Sequence, residues 1–342
     1  MAFRVATYNA GLAVGMLPHV TQRAELVIEA LAQLELDLLF VQEFWLESHW
    51  AGLCGAVARR LPHVFRPAPA LATRGSCTAS EVEPLVGCAA THCAGLRDEA
   101  LARCVVRNCA GAALAMRTPC LNCIASHPVG TFDEIVNRCL GGSAEGAPAD
   151  VPDPGYGGLI AYGGSFGTGL LSRRPLSRVE LRVFESSVNA RGALHARVTA
   201  PEHGELAIIA THLSPGGAEH GVQIEHLLKF ADACAGRCPT ILLGDLNTTP
   251  GSAAFRRLEQ AGFREPSPPD RRATYTSDGL GSGRVSDAGI RLDHVLTRHT
   301  RGPLRATRVL DEPAVLEIDG RRLRTTLSDH FGVLAVLEAD AA

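Results

Sequence analysis

The run Ile241-Leu242-Leu243-Gly244-Asp245-Leu246-Asn247 restricts the folds open to this chain, because a short apolar stretch ends abruptly in a carboxylate and a carboxamide. A continuous apolar run of this length is the pattern of a strand covered on both faces. Side chains at i and i+2 of a strand point the same way, so Asp245 and Asn247 are expected to emerge together from the strand end. One such ending is an ordinary capped strand. The pattern recurs, however: Asn9 closes the alternating segment 3–9, Glu43 follows Asp37–Gln42, and His212 follows 205–211. Ser328-Asp329-His330 precedes the apolar segment 331–338, and Asp293 lies within Leu292–Thr297. Buried carboxylates without partners are costly, so polar groups at so many strand ends imply a shared site where those ends converge.

The rest of the chain fills in the architecture. Thr21 is a candidate N-cap for a helix of about sixteen residues with Val27, Leu31 and Leu34 at helical spacing. Further helices are expected over 47–61, 96–106, 220–235 and 252–262, and strands over 159–162, 167–172, 178–184, 192–199 and 240–244. The polar, Gly-rich segment 264–290 reads as a long surface loop. Two clusters of strands with helices between them predict an α/β fold, two mixed β-sheets packed face to face and flanked by helices. The expected organisation is a single domain over 1–342, interrupted by a Cys-rich, mainly helical insertion over 70–155.

Composition removes several functions. The formal net charge is −3, which gives no basic footprint for nucleic acid. The apolar runs are too short to cross a bilayer. No P-loop occurs, and the strand-end residues include no Cys/His cluster of zinc type. What remains is a set of hard oxygen donors with histidines. Mg²⁺ takes few carboxylates alongside substrate phosphate, and histidines held by carboxylates can exchange protons with water and leaving group. That combination points to metal-assisted displacement at phosphorus.

Six segments then carry a resemblance: Ala6-Thr7-Tyr8-Asn9, Val41-Gln42-Glu43, Ala210-Thr211-His212-Leu213, Gly244-Asp245-Leu246-Asn247, Leu292-Asp293-His294-Val295 and Leu327-Ser328-Asp329-His330. In this order they resemble the motif set of the endonuclease/exonuclease/phosphatase (DNase I-like) superfamily. The resemblance covers roughly 1–68 and 156–340 and leaves the insertion without a counterpart. It implies a four-layer sandwich and a metal-dependent phosphoric ester hydrolase using Mg²⁺, with Mn²⁺ or Ca²⁺ as alternatives. It also implies that Asn9, Glu43, Asp245 and Asp329 serve the metal. His212, Asp245, Asn247, Asp293 and His330 would be catalytic: Asp245 for the attacking water, the histidines flanking the phosphate, Asp293 orienting one of them. His294 departs from the superfamily pattern and is expected at the pocket rim.

Within the superfamily, Gln42-Glu43-Phe44-Trp45, Gly167–Pro175, Asn189-Ala190-Arg191-Gly192 and Thr326–His330 resemble the sphingomyelinase branch. The implied substrate is a phosphodiester, a phospholipid headgroup in preference to nucleic acid, handled by a monomer in peripheral contact with a membrane. A DNase-like nuclease, a phosphatase of inositol or other phosphates, and a catalytically inactive binding module are the alternatives.

The insertion holds eight of the eleven cysteines, including the related segments Cys88-x4-Cys93-Ala-Gly and Cys104-x4-Cys109-Ala-Gly. Three readings are open: four disulfides stapling small helices, a zinc site around Cys120-x2-Cys123-x3-His127, or buried free thiols. The N-terminus shows no signal peptide, which predicts the cytoplasm, whereas disulfides would predict export. The insertion is expected to form a lid or rim beside the site.

Overall fold

The computed structural model describes residues 2–67, 75–141, 165–186 and 189–338. The strand expected over 159–162 and nearly all of the linker expected over 141–158 lie outside these residues. In chain order the first elements are β1 (Phe3–Asn9), α1 (Val20–Gln33), β2 (Leu38–Gln42), α2 (Glu47–Val57) and β3 (His63–Phe65). The insertion contributes α3 (Ala79–His92), α4 (Asp98–Asn108), α5 (Ala110–Leu114), α6 (Thr118–Ser126) and α7 (Phe132–Cys139). Then follow β4 (Gly169–Ser172), β5 (Ser177–Phe184), β6 (Arg191–Ala200), β7 (Gly204–His212), α8 (Gly217–Ala235), β8 (Thr240–Asp245) and α9 (Ala253–Gln260). The last are β9 (Asp293–Arg298), β10 (Leu304–Val309), β11 (Ala314–Ile318), β12 (Arg321–Thr325) and β13 (Gly332–Leu337).

Two large sheets result, with strand orders β10-β13-β1-β2-β4-β3 and β5-β6-β7-β8-β9, and β11 and β12 pair as a separate two-stranded sheet. Each large sheet is mixed: β1–β2 is parallel in the first and β7–β8 in the second, among antiparallel neighbours. The period of two divides the apolar runs between two cores. Ile241 and Leu243 of β8 face Phe3, Val5, Leu38 and Phe40 across the gap between the sheets. Leu242, between them, turns outward to Leu227 of α8 and Phe255 of α9. On the far side, α1 and α2 cover the first sheet through Val27, Leu31 and Leu53 against Leu39 and Val41. The order helix, sheet, sheet, helix is the four-layer α/β sandwich expected from the strand pattern.

One expected cap is corrected. Helix α1 starts at Val20 behind His19, which is left-handed and gives no side-chain cap. Thr21 is already helical, and its N–H and hydroxyl donate to Glu99 of the insertion at 3.2 and 3.3 Å. A carboxylate at a helix start satisfies the free N–H groups that a capping side chain would otherwise take.

The insertion is a set of short helices joined by four disulfides: Cys77–Cys120, Cys88–Cys109, Cys93–Cys104 and Cys123–Cys139. The two Cys-x4-Cys segments are therefore halves of one antiparallel hairpin, the outer cysteines paired and the inner ones nested within. Cys120 and Cys123 are each spent on a bridge, which removes the thiolates a zinc site needs. Among the described residues Cys54, Cys234 and Cys238 are free. Titration of thiols in denatured, unreduced protein is expected to count these three, rising to eleven after reduction. Eight or more before reduction would overturn the stapled insertion. The bridges fit an oxidising compartment, so the cytoplasmic expectation finds no support in them. No helix among the described residues is long and apolar enough to cross a membrane.

The insertion packs on the loop that leaves β1. Gly15 lies so close to α4 that a Cβ there would come within 2.7 Å of Ala102. Its φ of 84° is also one that L side chains avoid. Earlier in the same loop Leu12 N–H donates to the Glu43 carbonyl at 3.1 Å. A Cβ on Gly11 would meet Asp329 Oδ1 at 2.8 Å. One loop thus links the insertion to the strand ends that carry Asn9, Glu43 and Asp329.

Candidate active site

In the second sheet the polar residues fall on one row. Gly192 of β6 pairs with His212 of β7, His212 with Asp245 of β8, and Asp245 with Asp293 of β9. In the first sheet Asn9 pairs with Gln42, and Glu43 follows immediately. Stacking the sheets brings the two sets together. Asn9 Nδ2 donates to Asp245 Oδ2 at 3.1 Å and to Glu43 Oε1 at 3.3 Å.

Asp245 is the hub. It is 1% exposed, and its Oδ2 lies 3.4 Å from His212 Nε2 and 3.9 Å from His330 Nε2. Its Oδ1 accepts the Asn247 N–H at 3.0 Å. Burial alone would raise its pKa, but the charges and hydrogen bonds of His330 and His212 outweigh it and hold the carboxyl well below the usual range. The glycine before it is required by space: at Gly244, φ 143°, a Cβ would lie 1.8 Å from the Thr211 carbonyl oxygen.

His330 Nδ1 meets Asp293 Oδ2 at 2.8 Å. Burial disfavours the imidazolium, yet Asp293 and Asp245 together raise His330 far above an ordinary imidazole. Burial pushes Asp293 upward in turn, and Asp245 adds to it. His212 is the opposite case, lowered first by burial and then by Arg191, whose Nη1 sits 2.8 Å from its Nδ1. Asp329 is raised by burial and by the neighbouring Glu43, and it accepts from the Ser328 hydroxyl at 3.1 Å.

Asn247 reaches the site by a different route from the expected strand pleat. β8 ends at Asp245, and Asn247 is left-handed with φ 47°. Its side-chain nitrogen donates to the Leu213 carbonyl at 2.8 Å. Glu43 is likewise left-handed, φ 58°, a conformation that costs of order 1–3 kcal/mol and gathers at functional sites. His294 corrects the rim expectation: it points to the back of the sheet, buried, with Nε2 2.9 Å from the Thr248 carbonyl and its ring against Phe255.

Three residues carry no role in the sequence reading. Arg191 lies within a segment quoted above only for its resemblance. Tyr275 belongs to the segment read as a surface loop, yet its ring meets His330 edge-on at 5.0 Å between centroids. Arg23 is 0% exposed and donates to the carbonyls of Gly11 and Leu327, both at 2.7 Å, and of Pro18 at 2.9 Å. Its signal was available, since position 23 falls on the buried stripe of α1 between Val20 and Val27.

The donor set suits a divalent cation. Glu43 and Asp245 both accept from the buried Asn9 carboxamide, Asp329 lies near enough to Glu43 to be raised by it, and like charges so placed repel unless a cation joins them. All the donors are hard oxygens, the ligands of Mg²⁺, Mn²⁺ or Ca²⁺ rather than of soft metals. A second cluster, Asp245, Asp293 and His330, has its ligand atoms within 4.8 Å of one another. In that cluster Asp293 and His330 are already bonded to each other.

Buried carboxylates, paired histidines and a hard-oxygen cradle at the meeting of two sheets define a metal-dependent hydrolase of phosphoric esters. Residues 6–330 match the Endonuclease/Exonuclease/phosphatase family, and the chain belongs to that family. No curated protein matches the chain in sequence. Among solved structures it is similar to sphingomyelinase C from Streptomyces griseocarneus, at 18% identity and TM-score 0.59, covering 99% of this chain and 100% of that one. It is similar to a Staphylococcus aureus beta toxin with bound magnesium ions, at 12% identity and TM-score 0.55, covering 99% and 100%. Danio rerio (D. rerio) TDP2 complexed with a single-strand DNA product is similar at 16% identity and TM-score 0.54, covering 99% of both chains. At these identities the likeness is one of fold.

Proposed function

We propose that this chain is a Mg²⁺-dependent phosphodiesterase that acts on a phospholipid headgroup at a membrane surface, a sphingomyelinase-like phospholipase C. The unit is a single catalytic domain over 1–342, with 70–155 inserted, working as a monomer. The convergence of Asn9, His212 and His330 on Asp245 carries the hydrolytic half of this reading.

Glu43 would be the principal metal ligand, and Asn9, Asp245 and Asp329 would help to hold the ion. A bound divalent ion supplies Lewis-acid polarisation of a phosphoryl oxygen. Asp245 orients the attacking water and takes its proton as the new P–O bond forms. The ester P–O bond breaks, and the departing alkoxide takes a proton from a histidine. Asp293 orients His330 through their 2.8 Å bond. Asn247 sets the turn that bears Asp245 and offers its carboxamide oxygen to the metal or phosphate side.

The lipid half rests on the insertion. Its helices line a half-open pocket of about 360 Å³ with apolar side chains, Leu101, Val105, Leu121 and Phe132 among them, and His127 is the one titratable group among its described lining residues. Met16, Val106 and Leu114 at this pocket are 53%, 38% and 62% exposed. Met16 belongs to the loop that follows Asn9, so one loop joins this apolar surface to a strand end. Exposed apolar patches of this kind mark membrane or partner contacts.

The test is a substrate panel of sphingomyelin vesicles, phosphatidylcholine vesicles, plasmid DNA and inositol phosphates, each with Mg²⁺ and with EDTA. Phosphocholine release in Mg²⁺, lost in EDTA and restored by Mg²⁺ more fully than by Mn²⁺ or Ca²⁺, is the expected result. Nicking of plasmid alone would defeat the lipid assignment, and turnover indifferent to EDTA would defeat the metal.

A further inference from the structure

Two histidines flank Asp245, and the groups behind them have opposite charge. Behind His330 stands the Asp293 carboxylate, 2.8 Å from Nδ1. Behind His212 stands the Arg191 guanidinium, whose Nη1 is also 2.8 Å from Nδ1. A guanidinium has donors and no acceptor, and it stays protonated inside proteins. The Nδ1 of His212 must therefore be the acceptor in that bond. Its ring proton then sits on Nε2, the nitrogen 3.4 Å from Asp245 Oδ2. The carboxylate of Asp293 accepts, so His330 carries its proton on Nδ1, and its Nε2 is left to gain or release one.

We propose that Arg191 is a positioning residue that fixes His212 as the neutral Nε2–H tautomer. His212 is then a permanent hydrogen-bond donor to the phosphoryl group, and His330 alone exchanges protons with the leaving oxygen. A hydrogen on Nδ1 would point at the Nη1–H donor of Arg191, 2.8 Å away, and the two would repel. His212 and Arg191 are 3% and 7% exposed, so water offers little relief from that repulsion. Arg191 is well anchored for the task. It opens β6 opposite Phe184, and the next residue, Gly192, is in register with His212. A Cβ on Gly192 would stand 2.6 Å from the Arg182 carbonyl oxygen, so this strand end sits tight against β5.

During hydrolysis the accounting is complete without a second acid. Water bonds to phosphorus and yields its proton to Asp245. The ester oxygen leaves with the proton from His330 Nε2. The 3.9 Å approach of His330 Nε2 to Asp245 Oδ2 lets the pair reset after product departs. His212 keeps its proton throughout and stabilises charge developing on the phosphoryl oxygens, as a preorganised donor does.

The inference rests on the phosphoester hydrolase reading but not on a lipid substrate. Nitrogen-15 histidine NMR of the full chain, with His212 assigned by difference against His212→Gln, is expected to show Nε2 protonated and Nδ1 bare. Arg191→Met is expected to lower kcat by about 100-fold, measured on bis(p-nitrophenyl) phosphate, with KM little changed. Arg191→Lys, which keeps a cationic donor, should restore part of the loss. A proton on Nδ1 of His212 in the parent protein overturns the proposal, as does an Arg191→Met protein that is folded by circular dichroism and retains full kcat. The tautomer is read without turnover. Failure of the hydrolase reading therefore shows as an inert parent enzyme, and failure of this inference shows as the wrong protonated nitrogen.

Discussion

Replacing Asp245 with alanine is expected to lower kcat on the order of 10⁴-fold, the scale seen when one member of an interdependent catalytic set is removed. The size follows from how many functions pass through one carboxylate. Asp245 Oδ2 accepts from Asn9 at 3.1 Å and lies within ion-pair distance of both histidines. Its Oδ1 holds the Asn247 N–H at 3.0 Å. Alanine removes the acceptor for the water proton, one side of the metal cradle and the anion that His330 faces. The strand should survive, because β8 is held by ladders to β7 and β9 and by Ile241, Leu242 and Leu243. Turnover and circular dichroism should be measured together. A folded variant within tenfold of the parent kcat would remove Asp245 from the chemistry.

Arg23→Met is expected to cost about 3–5 kcal/mol, the penalty for breaking a buried charged network by removing its central member. For a chain of this size the corresponding fall in Tm is roughly 4–7 °C. The guanidinium binds backbone rather than a carboxylate: Pro18, Gly11 and Leu327 carbonyls, with Ala10 at 3.4 Å. Methionine fills similar space and satisfies none of these oxygens. Two of the carbonyls lie beside functional groups, since Gly11 N–H donates to Asn9 Oδ1 at 3.1 Å and Leu327 precedes Ser328-Asp329-His330. Activity should therefore fall with stability even below the new Tm. Differential scanning calorimetry alongside kcat would check both, and a Tm within about 2 °C of the parent would show that the loops need no such clasp.

The strand-end residues were legible because two physical signals coincide at them. Period-two burial marks the strands, and a polar side chain that ends an apolar run must find a partner. That logic reached Asn9, Glu43, His212, Asp245, Asp293 and His330, all of which lie around one crevice. It failed where local pattern and tertiary contact diverge. Thr21 looked like a cap, but a carboxylate from the insertion occupies that helix end. Asn247 reached the site through a left-handed turn, not a pleat. His294 and Asp293 are neighbours in sequence and face opposite sides of the same strand. Strands β10 to β12 escaped because their burial is sparse; β12 shows one buried residue, Thr325, after an Arg-rich start. The disulfide partners were undetermined because a repeat in sequence does not say whether its copies stack in tandem or face each other.

The packing of one sheet on the other has a consequence in time. Asn9 and Asp245 touch across 236 positions of chain, so the last pieces of the site, at Asp329 and His330, come from near its C-terminal end. Contacts of such separation must overcome loop closure before they are rewarded, and they form late. A partly synthesised or partly folded chain can hold the insertion's bridged hairpin and several hairpins of sheet and still lack a working centre. Catalysis in this protein is thus a readout of completed folding, and the topology itself keeps the nascent chain harmless to the phosphoesters around it.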